Sequence, residues 1–218
     1  YILHQRLKQR YPDVPLCIMG HSMGSFLTRT YLIRYPGTVK AAVIMGTGWQ
    51  PQAAITGGLA LANAIAAVSG ENATSELVTE LAFGSYNKLF APNRTKVDWL
   101  SADESNVDDY IADPLCGADA TVGLFRQMLH GIRFNQRQSH LRQMDREMPV
   151  LFVAGDKDPV GSCGKGVRQT YDAFRAAGMR DCTLKLYPGL RHEILNEKAY
   201  TADITKNIEA WLLSRLEK

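Results

Sequence analysis

The apolar positions of the chain fall into two alternating patterns. Some are short runs, interrupted only by Lys40, that end at glycine or a turn: residues 15–19, 39–45 and 149–155. Each predicts a strand buried on both faces. Residues 182–187 alternate as a strand, and Pro188-Gly189 turns the chain after them. Other apolar positions recur at helical spacing. Ile2, Leu3 and Leu7 oppose Arg6, Lys8 and Arg10. Phe26, Leu27, Thr30, Tyr31 and Ile33 predict a helix stopped by Tyr35-Pro36-Gly37. Residues 167–177 form another, ended by Gly178, and residues 201–216 close the chain as an amphipathic helix. Strand, helix and strand joined by short links predict a parallel α/β unit.

The middle of the chain differs. From Trp49 to about Glu147 no segment reads as a strand. Residues 55–68 predict a small-residue apolar helix, shorter than the ~20 residues a bilayer span needs. Residues 77–83 and 121–134 are further helical segments. Between them lies a polar, irregular region with Pro92, Trp99, Pro114 and the acidic patch Asp103, Glu104, Asp108 and Asp109. The patch lacks the glycine and ligand spacing of a calcium loop and reads as a solvated surface. The organisation is therefore 1–48 core, 49–147 helical cap insertion and 148–218 core.

The formal net charge of +3 is small, and no Lys/Arg run is dense enough to suggest a nucleic-acid partner. Cys17, Cys116, Cys163 and Cys182 show no Cys-x-x-Cys spacing and read as reduced thiols of a cytoplasmic protein. No signal peptide is recognisable. Asn72-Ala73-Thr74 and Asn93-Arg94-Thr95 match a glycosylation sequon but lack a secretory context.

Candidate chemistry starts at Gly20-His21-Ser22-Met23-Gly24, between a strand and a helix. A serine in Gly-x-Ser-x-Gly sits on a strained turn that lifts its hydroxyl clear of the sheet. Glycine is expected on both sides because a side chain at either would clash. Ser25, one turn on, is expected to bond its own backbone. A serine hydroxyl needs a base within reach, and the base needs an orienting carboxylate. His192 follows a late strand through Pro188-Gly189, whereas His4, His130 and His140 lie on helices or in the cap and His21 belongs to the turn. Asp156 and Asp158 compete as the acid. Asp158 is preferred because it lies farther into its loop and Pro159 stiffens the exit. Ser22, Asp158 and His192 then stand at strand ends as nucleophile, acid and base, with the Met23 N–H as one oxyanion donor. Glu193 is expected to cap the next helix.

Gly20-His21-Ser22-Met23-Gly24-Ser25, Gly155-Asp156-Lys157-Asp158-Pro159-Val160-Gly161 and Tyr187-Pro188-Gly189-Leu190-Arg191-His192-Glu193, in that order, resemble the α/β-hydrolase superfamily. Within it the chain is similar to the monoacylglycerol lipase and lysophospholipase-like group, also labelled serine aminopeptidase-like. The resemblance implies a mostly parallel sheet under a helical cap, with an apolar acyl pocket between them. Residues 55–68 would be a lid, an acyl-chain wall or plain cap packing. It implies a serine hydrolase that cleaves carboxylic esters of lipid origin, monoacylglycerol or lysophospholipid, through an acyl-enzyme on Ser22. Thioesterase and peptidase chemistry are the alternatives on the same fold. It implies no metal and no organic cofactor, and it allows transient contact of the cap with a membrane surface. The chain departs from the family in one respect. The family has several strands before the serine turn and takes a second oxyanion donor from an early His-Gly type loop. Here the stretch before Ser22 has room for one helix and one strand. The expectation is a fold lacking its N-terminal strands, completed by a preceding segment or a second chain, with strand 15–19 at an unpaired edge. A non-catalytic remnant is the reading from outside the enzyme class.

Overall fold

The computed structural model describes residues 1–216. Its elements in order are α1 (Ile2–Arg10), β1 (Cys17–His21), α2 (Met23–Arg34), β2 (Ala41–Met45), α3 (Gln52–Ser69), α4 (Glu76–Phe83), α5 (Glu104–Ala112), α6 (Val122–Asn135), α7 (Gln138–Leu141), β3 (Val150–Gly155), α8 (Lys165–Ala176), β4 (Cys182–Tyr187) and α9 (Thr201–Leu216). Short 3-10 turns span Asn87–Phe90 and Asp98–Leu100.

Two of the apolar runs, 39–45 and 149–155, supply the inner strands. Every residue of β2 and β3 is buried. Period-two alternation sends Ala42, Ile44, Val150 and Phe152 to one face, where Leu32 and Ile33 of α2 and Phe174 of α8 cover them. Ala41, Val43, Leu151 and Val153 face the other way, under Ile204, Ile208 and Trp211 of α9. Phe152 and Phe174 meet edge to face at 5.1 Å. Burying each large side chain contributes about 1.5–3 kcal/mol, so these two layers hold the sheet.

All pairings are parallel and the strand order is β1-β2-β3-β4. The register sets His21 beside Met45, Met45 beside Val153, and Gly155 beside Tyr187. The segments that follow the four strands therefore leave from one rim, where open α/β sheets build their sites.

Four expectations need correction. β1 starts two residues later than the apolar run suggests, and among its residues only Gly20 is buried. Among the described residues it pairs only with β2, so its outer edge stays open and Met19 is exposed. α1 forms but buries nothing, since Ile2 and Leu3 face solvent. α3 is longer than 55–68, running 18 residues from the residue after Pro51 to Gly70, whose φ of 83° ends it. At that length its mean hydropathy of 1.3 reaches the range of a membrane span. It lies in the cap, with Ile55 and Leu59 buried against Phe26 and Ile132. The acidic stretch is not irregular throughout. Asp103 caps α5 by accepting from the Ser105 N–H at 2.9 Å, with Glu104 in the first turn.

The α6 end of the cap is fastened to the core by two buried amides. Asn135 Nδ2 donates to the Phe26 carbonyl at 2.8 Å, and Thr30 Oγ1 donates to Asn135 Oδ1 at 2.9 Å. Gln136 exchanges two 2.8 Å hydrogen bonds with the backbone of Gln50. This end of the cap is thereby a fixed wall over the strand rim.

Candidate active site

Ser22 joins β1 to α2 with φ 54° and ψ −121°. A non-glycine residue in such a region costs about 1–3 kcal/mol and persists only where its surroundings enforce it. Here the Ser22 N–H donates to the Met45 carbonyl at 3.1 Å, and Ser25 Oγ donates to the Ser22 carbonyl at 2.6 Å, the local bond expected of Ser25. Gly20 lies so close beneath the helix that a Cβ there would collide with the Gly24 carbonyl and Thr28 Oγ1. Gly24 differs from expectation: a Cβ there would meet nothing within 4 Å. The turn needs glycine at 20 because of the backbone of residue 24, not because residue 24 lacks room.

Asp158 is fully buried, and both of its carboxylate oxygens lie 3.0 Å from His192 Nδ1. Oδ1 also accepts the Val160 N–H at 2.9 Å. The Nδ1–H donates to the carboxylate, so the lone pair is on Nε2. Asp156 has other work: its Oδ1 accepts the Gly189 N–H at 2.8 Å and pins the turn that launches His192. His21 contacts the other side of the His192 ring. The two imidazole centroids are 4.6 Å apart, and His21 Nε2 donates to the His192 carbonyl at 3.1 Å. Burial first, then the charge of His192, pushes the His21 pKa below its ordinary value. Gly46 (φ 56°) fits between β2 and these rings, 3.1 Å from both at its Cβ position. Trp99 of the cap packs on His192 at 5.2 Å. Glu193 does not cap a helix. It accepts from Asn106 and Asn196, each at 3.0 Å, and no helix begins until Thr201.

Ser22, Met23 and His192 line one cavity of about 870 Å³ beneath the cap. No hydrogen bond joins Ser22 Oγ to the His192 ring, a separation common in sites without substrate. Met23 is the first residue of α2, so its N–H points from a helix N-terminus. A second, apolar chamber of about 380 Å³ lies among α3, α4 and α6. Six residues line both spaces, Gln50, Ile132 and the four Phe83, Tyr86, Phe125 and Met128. None of these four was singled out in the sequence. Their concentration of aromatic rings in an otherwise polar cap was the one available signal. Burial pushes the Tyr86 phenol up to about 12, so it stays protonated. Among the described residues no group of three or more His, Cys, Asp or Glu is arranged to hold a metal ion. The acidic patch pairs with cations outside it: Asp108 with Arg94 at 2.7 Å and Asp109 with Lys198, beyond the cap, at 3.4 Å.

A parallel sheet, a strained serine turn and a buried histidine–aspartate pair on one rim define an α/β-hydrolase. Solved structures agree on the fold. A thermostable carboxyl esterase from Bacillus coagulans superposes with a TM-score of 0.90 at 24% identity, covering 98% of this chain and 69% of that one. A monoacylglycerol lipase from Paleococcus ferrophilus gives 0.70 at 19% identity, covering 98% and 73%. The chain belongs to the serine aminopeptidase (S33) family, whose model matches residues 2–199. Among curated proteins it is 31% identical over 211 residues to a monoacylglycerol lipase of Mycolicibacterium smegmatis and 26% identical over 217 residues to a monoglyceride lipase of Mus musculus. It spans 65% and 62% of the lengths of those two relatives, which cover 94% and 96% of it.

Two outcomes follow for the turn and its histidine. Gly20→Ala should abolish the native fold of the turn, whereas Gly24→Ala should be tolerated and gain about 0.5–1 kcal/mol from helix propensity. Thermal unfolding of the two variants checks this, and equal loss in both would contradict the geometry. A histidine whose folded pKa is lowered leaves the unfolded state with more bound protons below about pH 6.5. Stability contributed by neutral His21 is thus complete above that pH and lost as pH falls. His21→Gln, which keeps a donor, should show a shallower loss of denaturation midpoint between about pH 7 and 5.

Proposed function

We propose that this chain carries the catalytic machinery of a serine hydrolase acting on carboxylic esters of lipid origin, monoacylglycerols foremost. The observation that carries the reading is the apolar chamber among α3, α4 and α6, which adjoins the cavity holding Ser22 beside the His192–Asp158 pair and shares lining residues with it. In this mechanism Ser22 Oγ attacks the ester carbonyl carbon while its proton passes to His192 Nε2. Asp158 keeps the ring in the required tautomer and stabilises the imidazolium. The Met23 N–H supports the oxyanion. Collapse breaks the acyl–oxygen bond, and His192 returns the proton to the departing alcohol. A water molecule then repeats the sequence on the acyl-enzyme and frees the acid and Ser22. The chamber lining carries no charged side chain and only Gln50 and Tyr86 as polar ones, which suits an acyl chain. The lipase names of the two relatives support the same substrate class. The family's aminopeptidase label keeps peptide bonds as the second reading.

A fluorophosphonate probe should label Ser22, and Ser22→Ala should abolish both labelling and ester hydrolysis. Across p-nitrophenyl esters, kcat/KM should rise with chain length until the chamber is filled. Each buried CH₂ adds about 0.8 kcal/mol, up to about fourfold per carbon. Met128→Trp, at the wall between the two spaces, should depress long-chain turnover and spare acetate or butyrate. A flat chain-length profile in the parent protein would overturn the lipid-ester reading.

A further inference from the structure

The loop that carries His192 is held from two sides. On the core side are Asp158, His21 and the Lys157 N–H, which donates to the Leu190 carbonyl at 3.0 Å. Gly155 lets the loop pass so close that a Cβ there would strike the Leu190 and Arg191 carbonyls. On the other side the partners belong to the cap: Phe90, the Asp98–Leu100 turn and the bend that leads from it into α5.

Two opposite charges grip that bend. Arg191 Nη1 donates to the Asp98 carbonyl and, at 3.0 Å, to the Ser101 carbonyl, with the guanidinium 4.1 Å over the Phe90 ring. Glu197 is 3% exposed, and its two oxygens accept the Ala102 N–H at 2.8 Å and the Asp103 N–H at 3.1 Å. A cation thus meets carbonyls, and a carboxylate meets the N–H groups ahead of α5. Between them the Glu193 N–H donates to the Leu100 carbonyl at 2.8 Å, and Trp99 covers the His192 ring. The α3/α6 wall of the cap makes none of these contacts; it is fastened to α2 and Gln50 instead.

We propose that Arg191 and Glu197 are positioning residues that lock the base loop to residues 98–106 of the cap, so that seating of this part of the cap and alignment of His192 are one event. The proposal deepens the ester-hydrolase reading and rests on it for its kinetic consequence. Lifting this segment would withdraw the outer support of the base, so the site is competent only with the segment seated.

Two measurements test it. Hydrogen exchange followed by mass spectrometry reads the coupling itself. Glu197→Gln should raise exchange in both 98–104 and 190–196. Asn106→Ala, made on the cap side, should raise it in 190–196. Exchange confined in each case to the substituted segment would overturn the proposal, whatever the activity. Kinetically, Glu197→Gln and Arg191→Met should lower kcat by about 10-fold or more with KM changed less than about twofold. Arg191→Lys should recover part of that loss. Fluorophosphonate labelling of Ser22 should slow by a similar factor. A raised KM at unchanged kcat would overturn the positioning role. Glu147→Gln, at the exposed pair with Arg180, serves as the neutral control. If the parent protein neither labels nor hydrolyses esters, the hydrolase reading fails, and the exchange result alone decides the lock.

Discussion

A carboxylate with no access to water is costly unless its oxygens are matched by donors. Asp158 meets that condition through the Nδ1–H of His192 and the Val160 N–H. Much of the rim depends on this one buried contact. It joins the loop after β3 to the loop after β4, and it dictates which nitrogen of His192 carries the proton. Breaking such a pair by removing one partner typically costs about 3–5 kcal/mol, because the other is left buried and unmatched. The surrounding details read as provisions for it. Asp156 pins the turn before His192, His21 takes up the His192 carbonyl, and Gly155 clears the path of that loop.

The core was legible in the sequence because its signal is one-dimensional. Unbroken apolar runs mark strands buried on both faces, and β2, β3 and the ends of β4 and α9 follow the pattern closely. The edge elements were less legible because burial depends on neighbours that the run itself does not encode. β1 and α1 carry apolar residues much like the inner elements, yet expose them. The choice between Asp156 and Asp158 came from loop position and Pro159, and the contacts give each acid a distinct partner. The cap resisted reading for a different reason. α5 rests on a single N-cap and on charge pairs such as Arg94–Asp108, which leave little apolar periodicity. Glu193 was misassigned because its partners, Asn106 and Asn196, include one 87 positions away, and helix-cap rules look only forward.

The two halves of the cap divide their tasks by the chemistry that fastens them. Amide pairs and apolar packing hold α3 and α6, with the Arg126–Glu71 ion pair beside them at the end of α3. Those helices wall the apolar chamber, whose shape would discriminate chain length under the proposed function. The 98–109 segment is held mainly by ionic and charge-assisted contacts from the base loop. Such contacts are directional and weaken as water enters. A segment of this kind suits the entrance of a cavity, whereas an amide-stapled wall suits its floor.

Arg29 shows how strongly the rim constrains its own scaffold. It is completely buried on α2, and only Nη1 has partners, Thr47 Oγ1 at 3.3 Å and the Gly48 carbonyl at 3.0 Å. Nε and Nη2 have none, and burial pulls its pKa down to about 9. An aliphatic residue would avoid that desolvation penalty. What it could not do is hold the Gly48 carbonyl, which Thr170 of α8 also reaches at 3.2 Å. That shared carbonyl ties α2, the exit of β2 and α8 together two residues beyond Gly46, the glycine that packs against the two imidazoles. The cost of burying the guanidinium is therefore set against the placement of the β2 exit. Gly46 leaves so little room beside the His21 and His192 rings that an added Cβ would lie 3.1 Å from both, so the course of the β2 exit bears directly on their packing.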